Sequence, residues 1–361
     1  FRAYAAGFSP SVAEGITRVP AASIAAAARL YATTRPAAVN CSASVTVHHT
    51  NGVQNHRAIT ALAGLTGNFD RKGGNRVIPS TYYHAPTGLV SREHDFEQVR
   101  PWEEMAPRIG ADRFPVWSSL IPEAQSTEVP FQIRDGSPYP VRAMLGFGLN
   151  HRMWPGSDFM KEALERLDFL VDVDLFMTDT ARMADIVLPA CSIFEREELK
   201  IYASRYAFWA EPVIEPLGES RSDMDIIVEL SKRLNPSDAL MAGGMEACFD
   251  WMFAPSGIRM ADIRARPGGG VLETDAETPY EKYRDAGFPT PSGKMELHST
   301  VLERFGLDPL PVFREPLQSP VSAPGIARDH PLVLTTGARL PMLMHSRMYR
   351  IDSARRTRPD P

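Results

Sequence analysis

Residues 167–189, LDFLVDVDLFMTDTARMADIVLP, set two apolar, strand-like runs on either side of a polar turn carrying Asp174, Thr178, Asp179 and Thr180. Strands buried on both faces read as near-continuous apolar runs, and open parallel sheets bind ligands in the crevice beyond their carboxyl ends. The run therefore points to a nucleotide-type crevice. Other chemistries have less support. His48 and His49 are adjacent and diverge in an extended chain, and His56 lies a helical turn or more beyond Gly52, so the three do not converge on a zinc ion. Cys41, Cys191 and Cys248 lie far apart without a CxxC spacing and read as buried apolar fillers, not as a zinc ribbon or an iron–sulfur site. Ser292-Gly293-Lys294 lacks the preceding glycine of a P-loop, with Phe288 in that region, and no G-x-S-x-G occurs, so hydrolase readings have no footing.

At 361 residues, with 43% hydrophobic and 23% charged, the chain has the composition of a globular protein able to form about two or three domains. Its 39 basic and 44 acidic residues leave a net charge of −5, which offers no footprint for nucleic acid or anionic membrane. No apolar run reaches the length of a membrane-spanning helix, so direct membrane insertion is not expected. The opening FRAYAAGFSPSVAEG lacks the basic-then-apolar layout of a signal peptide and has no initial Met, so the natural start is expected upstream. Only residues 346–361 are locally basic, which fits a solvated surface or an anion contact.

These residues need elements to position them. Ser9-Pro10 and Val19-Pro20 read as helix starts, the second opening an Ala-rich helix to about Tyr31. Residues 36–45 predict a strand of small residues, followed by the turn HHTNG and a helix over 53–65, a strand–turn–helix unit whose Gly52 could sit beside a bound phosphate or other anion. Residues 68–139 have little periodicity beyond a helix near 116–124. Regular α/β order returns with a strand at 142–147, a loop at 148–157, a helix at 158–166 and a strand at 169–173. A short helix near 178–183, a strand at 185–188 and a helix over 223–234 follow, implying parallel strands with right-handed crossovers. Gly293 marks a turn before a short apolar strand in PSGKMEL, residues 309–331 are a Pro-rich connection, and residues 332–339 read as the opening strand of a further domain.

Several blocks, in order, resemble one family: residues 47–68, VHHTNGVQNHRAITALAGLTGN; GFGLN at 146–150, similar to a G-x-N-P loop but with His151 in place of Pro; and the 167–189 run, similar to D-x-x-x-T-x-T-x-x-x-A-D-x-V-L-P. FEREE at 194–198, GESRSD at 218–223, SGKMEL and TGARLPMLMHS at 336–346 continue the likeness over most of residues 17–361. The chain resembles the molybdopterin oxidoreductases of the dimethyl sulfoxide reductase family, in particular the branch with thiosulfate and polysulfide reductases and acetylene hydratase.

The resemblance implies an α/β fold with parallel-sheet αβα dinucleotide-binding domains and the truncated start of a β-rich C-terminal domain. Its segments are 1–70 (α/β), 71–140 (irregular crossing), 141–235 (αβα, cofactor-binding), 236–330 (connecting and lid-like) and 331–361 (start of the C-terminal dinucleotide-binding domain). It implies bis(molybdopterin guanine dinucleotide) with molybdenum or tungsten, a small-molecule substrate, an iron–sulfur electron-transfer partner, and a [4Fe-4S] domain upstream together with the protein ligand to the metal. The chain is then expected to be an internal fragment, inactive alone, with no catalytic or metal-ligating residue of its own and its compartment set upstream. A nucleotide-binding or assembly module without redox activity, or a non-redox hydratase, remains the alternative.

Site residues follow from the same resemblance. Ser44 and His48 take positions near the pterin, although His48 also suits a turn-stabilising role. Asp174 or Asp223 would accept the two adjacent N–H donors of a guanine in a bidentate pair, the other reading being a helix cap or turn former. Asn150 could hydrogen-bond the nucleotide or serve its turn. Arg196 could meet a phosphate or form an ion pair with Glu195 or Glu197. Thr336, Gly337, Arg339, His345 and Ser346 match a loop around the second dinucleotide. Asp179, as a helix cap, and Asp185, at a strand start, read as structural.

Overall fold

A computed structural model describes residues 1–41, 43–76, 106–121, 123–202, 206–266, 271–273, 280–334, 353 and 356. The chain divides into two compact units, residues 1–77 with 279–361, and residues 78–278.

The first unit opens with α1 (Arg2–Ala6), α2 (Pro10–Thr17) and α3 (Ala21–Thr33). Ser9 caps α2 by accepting the Val12 N–H at 3.3 Å, as its Ser-Pro start predicts. The strand predicted at 36–45 does not form. Instead the Ala37 N–H donates to Asn68 Oδ1 at 3.1 Å and the Val39 N–H to Asn75 Oδ1 at 2.8 Å, while Asn75 Nδ2 donates to the Val39 carbonyl at 2.7 Å. Side-chain amides take the place of a neighbouring strand, and the segment ends in the single turn α4 (Ala43–Thr46).

The predicted helix over 53–65 is present as α5 (Gly52–Leu65). A Cβ on Gly52 would lie 2.4 Å from the Thr46 carbonyl oxygen, so close backbone approach already requires glycine there. Gly293 makes its predicted turn at φ +67, but no strand follows. Glu296 accepts the N–H groups of Ser292 at 3.3 Å and Thr300 at 2.9 Å, which makes this segment the lead-in to the helix Thr300–Arg304. Residues 332–334 carry no strand, and the rest of that predicted strand lies outside the described residues.

Asp70 joins the two stretches of this unit. It is 3% exposed, sits at φ +59, and accepts both the backbone N–H of Lys282 at 2.8 Å and its Nζ at 2.5 Å. Phe69, Tyr283 and Phe288 pack beside it, Tyr283 and Phe288 stacked with ring centroids 4.6 Å apart.

In the second unit, α6 (Pro115–Leu120) stands where a helix is expected and α7 (Val129–Asp135) follows. Strands β1 (Ala143–Phe147), β2 (Phe169–Asp174) and β3 (Ile186–Pro189) form a parallel sheet in that order, as the alternation predicts. The crossover helix α8 (Ser157–Leu164) turns Met160, Ala163 and Leu164 onto Val129 and Ile133 of α7 and Leu170 of β2. That i, i+3, i+4 spacing makes one apolar stripe, and each large side chain buried contributes about 1.5–3 kcal/mol. The predicted helix over 223–234 is α9 (Asp223–Leu234), capped by Ser222 accepting the Asp225 N–H at 3.1 Å, with acids in its first turn and Lys232 and Arg233 in its last.

A second sheet was not foreseen. Strands β4 (Glu198–Tyr202), β5 (Tyr206–Ala210) and β6 (Val271–Glu273) pair antiparallel, and Ala207 and Trp209 of β5 bury against Phe253 of α10 (Gly244–Phe253) and Met260 and Ile263 of α11 (Met260–Arg264). Cys191 and Cys248 are buried fillers, as expected, and burial pushes the Cys248 thiol pKa up; Cys41 is half-buried. No helix among the described residues is long and apolar enough to cross a membrane.

Removing the partner of a buried carboxylate leaves an uncompensated charge, so Lys282→Met is expected to destabilise the first unit by about 3–5 kcal/mol in urea unfolding. Arg71→Met, which removes a half-exposed cation 3.5 Å from Glu281, should cost under about 1 kcal/mol. Similar losses for the two variants would contradict the role given to Asp70.

Candidate functional site

The carboxyl edge of the β1–β2–β3 sheet is built from three consecutive chain exits. Beyond β1 the chain turns at Gly148, φ +62, whose N–H donates to the Val173 carbonyl at 2.8 Å. Asn150 then accepts the Arg152 N–H on Oδ1 at 3.1 Å and so caps the turn His151–Met153. The next residue, His151, is 3% exposed; its N–H donates to Thr180 Oγ1 at 3.1 Å and its Nδ1 lies 2.9 Å from the same oxygen. Arg152 pairs with Asp179. The loop after β1 is thus tied to the end of β2 at Val173 and to the loop after β2 at Asp179 and Thr180.

Beyond β2, Asp174 Oδ1 accepts the Phe176 N–H at 3.0 Å and the Asp174 carbonyl accepts the Ala190 N–H at 3.2 Å. Among the described residues, the second Asp174 oxygen and the Asn150 amide nitrogen have no hydrogen bond. Neighbouring loops therefore present an open acceptor and an open donor. The exit of β3 extends the edge, with the Arg221 N–H donating to the Pro189 carbonyl at 3.1 Å and the Cys191 N–H to the Arg221 carbonyl at 2.8 Å. There Arg196 lies 3.6 Å from both Glu198 and Asp223, within charge-pairing range but beyond hydrogen-bond length. A cleft of about 580 Å3 opens beside it, lined in part by Cys191, Glu195, Arg196, Arg221, Ser222 and Asp225.

Two buried groups shape the electrostatics. Asp172 has no exposed surface, and neither carboxylate oxygen has a hydrogen-bond partner among the described residues. Burial and the nearby Asp174 charge push its pKa up to about 6, against the pull of the Leu149 and Val173 amides. The His151 pKa moves down, chiefly through burial and then the Arg152 charge, which favours the neutral ring.

Asn150, Asp174, Arg196 and Asp223, four of the residues singled out in the sequence, lie along this edge. Arg196 does not pair with Glu195 or Glu197. Glu195 instead accepts the N–H groups of Ser192 and Leu217, each at 2.7 Å, and Glu197 meets Arg264 at 3.0 Å. Asp179 is not a helix cap: Thr178 Oγ1 accepts the Ala181 N–H at 3.1 Å, leaving Asp179 for Arg152. Asp185 is structural, accepting the Leu170 N–H at 2.7 Å. Ser44 belongs to α4 and His48 is exposed in the turn before α5, both in the first unit. Thr336, Gly337, Arg339, His345 and Ser346 lie outside the described residues. Among the described residues, no three His, Cys, Asp or Glu side chains cluster as metal ligands. Sequence reasoning missed Asp172, whose signal is an acid inside an apolar run, and the pairing of His151 with Thr180, 29 residues apart.

The sequence model of the molybdopterin oxidoreductase family matches residues 35–233, more than half of the chain. Acetylene hydratase of Syntrophotalea acetylenica is 29% identical over 381 residues, covering 96% of this chain and 50% of that protein. Dimethyl sulfoxide reductase of Escherichia coli strain K12 is 26% identical over 383 residues, covering 95% and 45% respectively. A solved structure, acetylene hydratase from Pelobacter acetylenicus, matches with a TM-score of 0.77 and 25% identity over 92% of this chain and 48% of that one. The α/β fold with its parallel sheet is similar to that structure, and the chain spans about half the length of the relatives it matches.

The raised Asp172 pKa predicts a pH signature. Between the ordinary value of 3.8 and about 6 the folded state binds more protons than the unfolded chain, so this residue's contribution to stability falls as pH rises through that window. Asp172→Asn should melt several degrees above the parent at pH 7, with the difference shrinking toward pH 4. A pH-independent difference would mean that Asp172 does not titrate in this way.

Proposed function

Since the chain belongs to the molybdopterin oxidoreductase family, we propose that the carboxyl edge of its parallel sheet holds the guanine arm of a molybdopterin guanine dinucleotide. On this reading the whole protein carries out a two-electron oxidation or reduction of a small molecule. The bound group would supply molybdenum or tungsten as the reacting centre, and this chain would supply binding and orientation.

The observation that carries the reading is the open donor–acceptor pair on two stitched loops. A guanine edge carries a carbonyl acceptor beside two N–H donors. Asp174, oriented by the Phe176 N–H on Oδ1, keeps its second oxygen and a further lone pair on Oδ1 to accept those donors, and the Asn150 amide can donate to the carbonyl. Asp223 is already in charge contact with Arg196, which makes Asp174 the better guanine acceptor. Arg196 keeps hydrogen-bonding capacity for a phosphate oxygen, its two acidic neighbours being 3.6 Å away.

The same reading gives Ser44 and His48 to the pterin and Thr336, Gly337, Arg339, His345 and Ser346 to a second guanine dinucleotide. It gives residues 141–235 the role of a cofactor-binding segment, and it assigns electron delivery to a [4Fe-4S] centre and an iron–sulfur partner. The likeness to acetylene hydratase over 96% of the chain favours a second reading, addition of water without net electron transfer. The two part company in the whole protein, where a hydratase forms product with no electron donor or acceptor present.

The binding claim is tested on the chain by titration calorimetry with GDP and ADP. GDP should bind in preference, and Asp174→Asn, which keeps an acceptor for Phe176 but loses a charged acceptor for guanine, should weaken GDP about 10- to 100-fold with little effect on ADP. Equal affinity for the two nucleotides in the parent chain would overturn the guanine reading.

A further inference from the structure

Three links hold the Asn150 loop, one to the end of β2 and two to the turn that begins at Asp174, and they differ in what surrounds them. The Gly148 N–H to Val173 carbonyl bond lies at the base of the loops and fixes only their origin. The Arg152–Asp179 pair is solvent-facing, with side chains 68% and 50% exposed, so water and salt weaken it. The Thr180 link alone joins residues with almost no exposed surface, 3% at His151 and 0% at Thr180. It also stands next to the residues that matter, since His151 follows Asn150 directly and Thr180 ends the turn that begins at Asp174.

We propose that His151 and Thr180 form a positioning pair, a buried imidazole–hydroxyl clasp that fixes the spacing between the Asn150 donor and the Asp174 acceptor and so sets selectivity for a guanine base. This rests on the guanine reading of the same edge. A planar base must meet both groups at once, so an error of about 1 Å between the loops removes one hydrogen bond of the set.

The chemistry of the clasp is specific. Thr180 Oγ1 accepts the His151 N–H at 3.1 Å and lies 2.9 Å from His151 Nδ1. In the proposed clasp the ring is neutral with its proton on Nε2, so the hydroxyl donates to Nδ1. A protonated ring would bring a second donor to the same oxygen and leave the buried threonine hydroxyl without an acceptor in the clasp. The charges around the ring come from three elements: Arg152 on its own loop and Lys161 on α8 oppose protonation, while Asp179 on the facing loop and Asp158 on α8 favour it. The backbone half of the clasp depends on a residue at 151 that has an N–H, which proline, the residue of the G-x-N-P pattern, lacks.

The test uses the full chain with GDP and ADP as probes, and Thr180→Val, Thr180→Ser and His151→Gln as variants. Thr180→Val should reduce the GDP-over-ADP preference about tenfold, and Thr180→Ser, which keeps the oxygen, should restore it. In the parent, GDP affinity should fall as pH drops below the ordinary histidine range; His151→Gln should remove that part of the pH dependence, leaving any that comes from Asp172. Imidazole nitrogen shifts should show Nδ1 unprotonated and hydrogen-bonded at pH 7. A Thr180→Val chain that binds GDP with the parent's preference overturns the clasp while leaving the guanine reading intact. A parent chain that does not prefer GDP overturns both. Should Thr180→Val fail to fold, His151→Gln decides alone, and an unchanged pH profile in that variant overturns the clasp.

Discussion

At several turns and segment ends in this chain a side chain, not a ladder carbonyl, takes the backbone amide, and leaving a buried N–H unpaired costs about 1–3 kcal/mol. That constraint explains where its polar side chains sit. Asn68 and Asn75 serve residues 37 and 39, Asp70 serves Lys282, Asp185 serves Leu170, Glu195 serves Ser192 and Leu217, and Asp250 serves Met260. Several of these acceptors are themselves nearly inaccessible, Asn68 at 0%, Asp70 at 3% and Glu195 at 7%.

At the sheet edge the same constraint organises the candidate site. Gly146 of β1 lies beside Asp172 of β2, which lies beside Val187 of β3, so the register alone brings three chain exits to one line. Thr180 then satisfies the buried His151 N–H and draws two of those exits together. Asp172 runs the other way, as a carboxylate left inside without a hydrogen-bond partner among the described residues and disfavoured further by the Asp174 charge. A ligand that donates N–H groups to Asp174 would offset part of that repulsion, which couples occupation of the edge to the cost of the buried acid.

The sequence discloses this architecture unevenly, for identifiable reasons. The β1–α8–β2–β3 order is legible because apolar runs are bounded by polar turns, and α9 lies at the 223–234 expected from its apolar and polar spacing, with Ser222 and the charge layout suiting its ends. Residues 36–45 misled because a run of small, mostly uncharged residues leaves a strand open, while what replaces one is a pair of asparagines more than thirty residues away. The β4–β5–β6 sheet escaped because β6 joins β5 from about sixty residues downstream, with short strands and a weak alternation. At the edge, Asp174 stands out by position, whereas the hydroxyl acceptor that His151 meets is visible only in three dimensions.

For several of these residues the structural and the functional readings are not competitors. Asp174 forms its turn with one oxygen, and that bond aims the other; Asn150 caps with its carbonyl and leaves its amide free; Arg196 balances two acids without hydrogen-bonding either. A side chain with a single polar atom would have to choose between shaping the loop and meeting a ligand. Carboxylates and amides do both, because one hydrogen-bonded atom fixes the orientation of the rest before a ligand arrives. The Asp174 and Asn150 side chains at the edge are thus oriented by their own loops, and the contact between Thr180 and His151 beside them is out of reach of solvent.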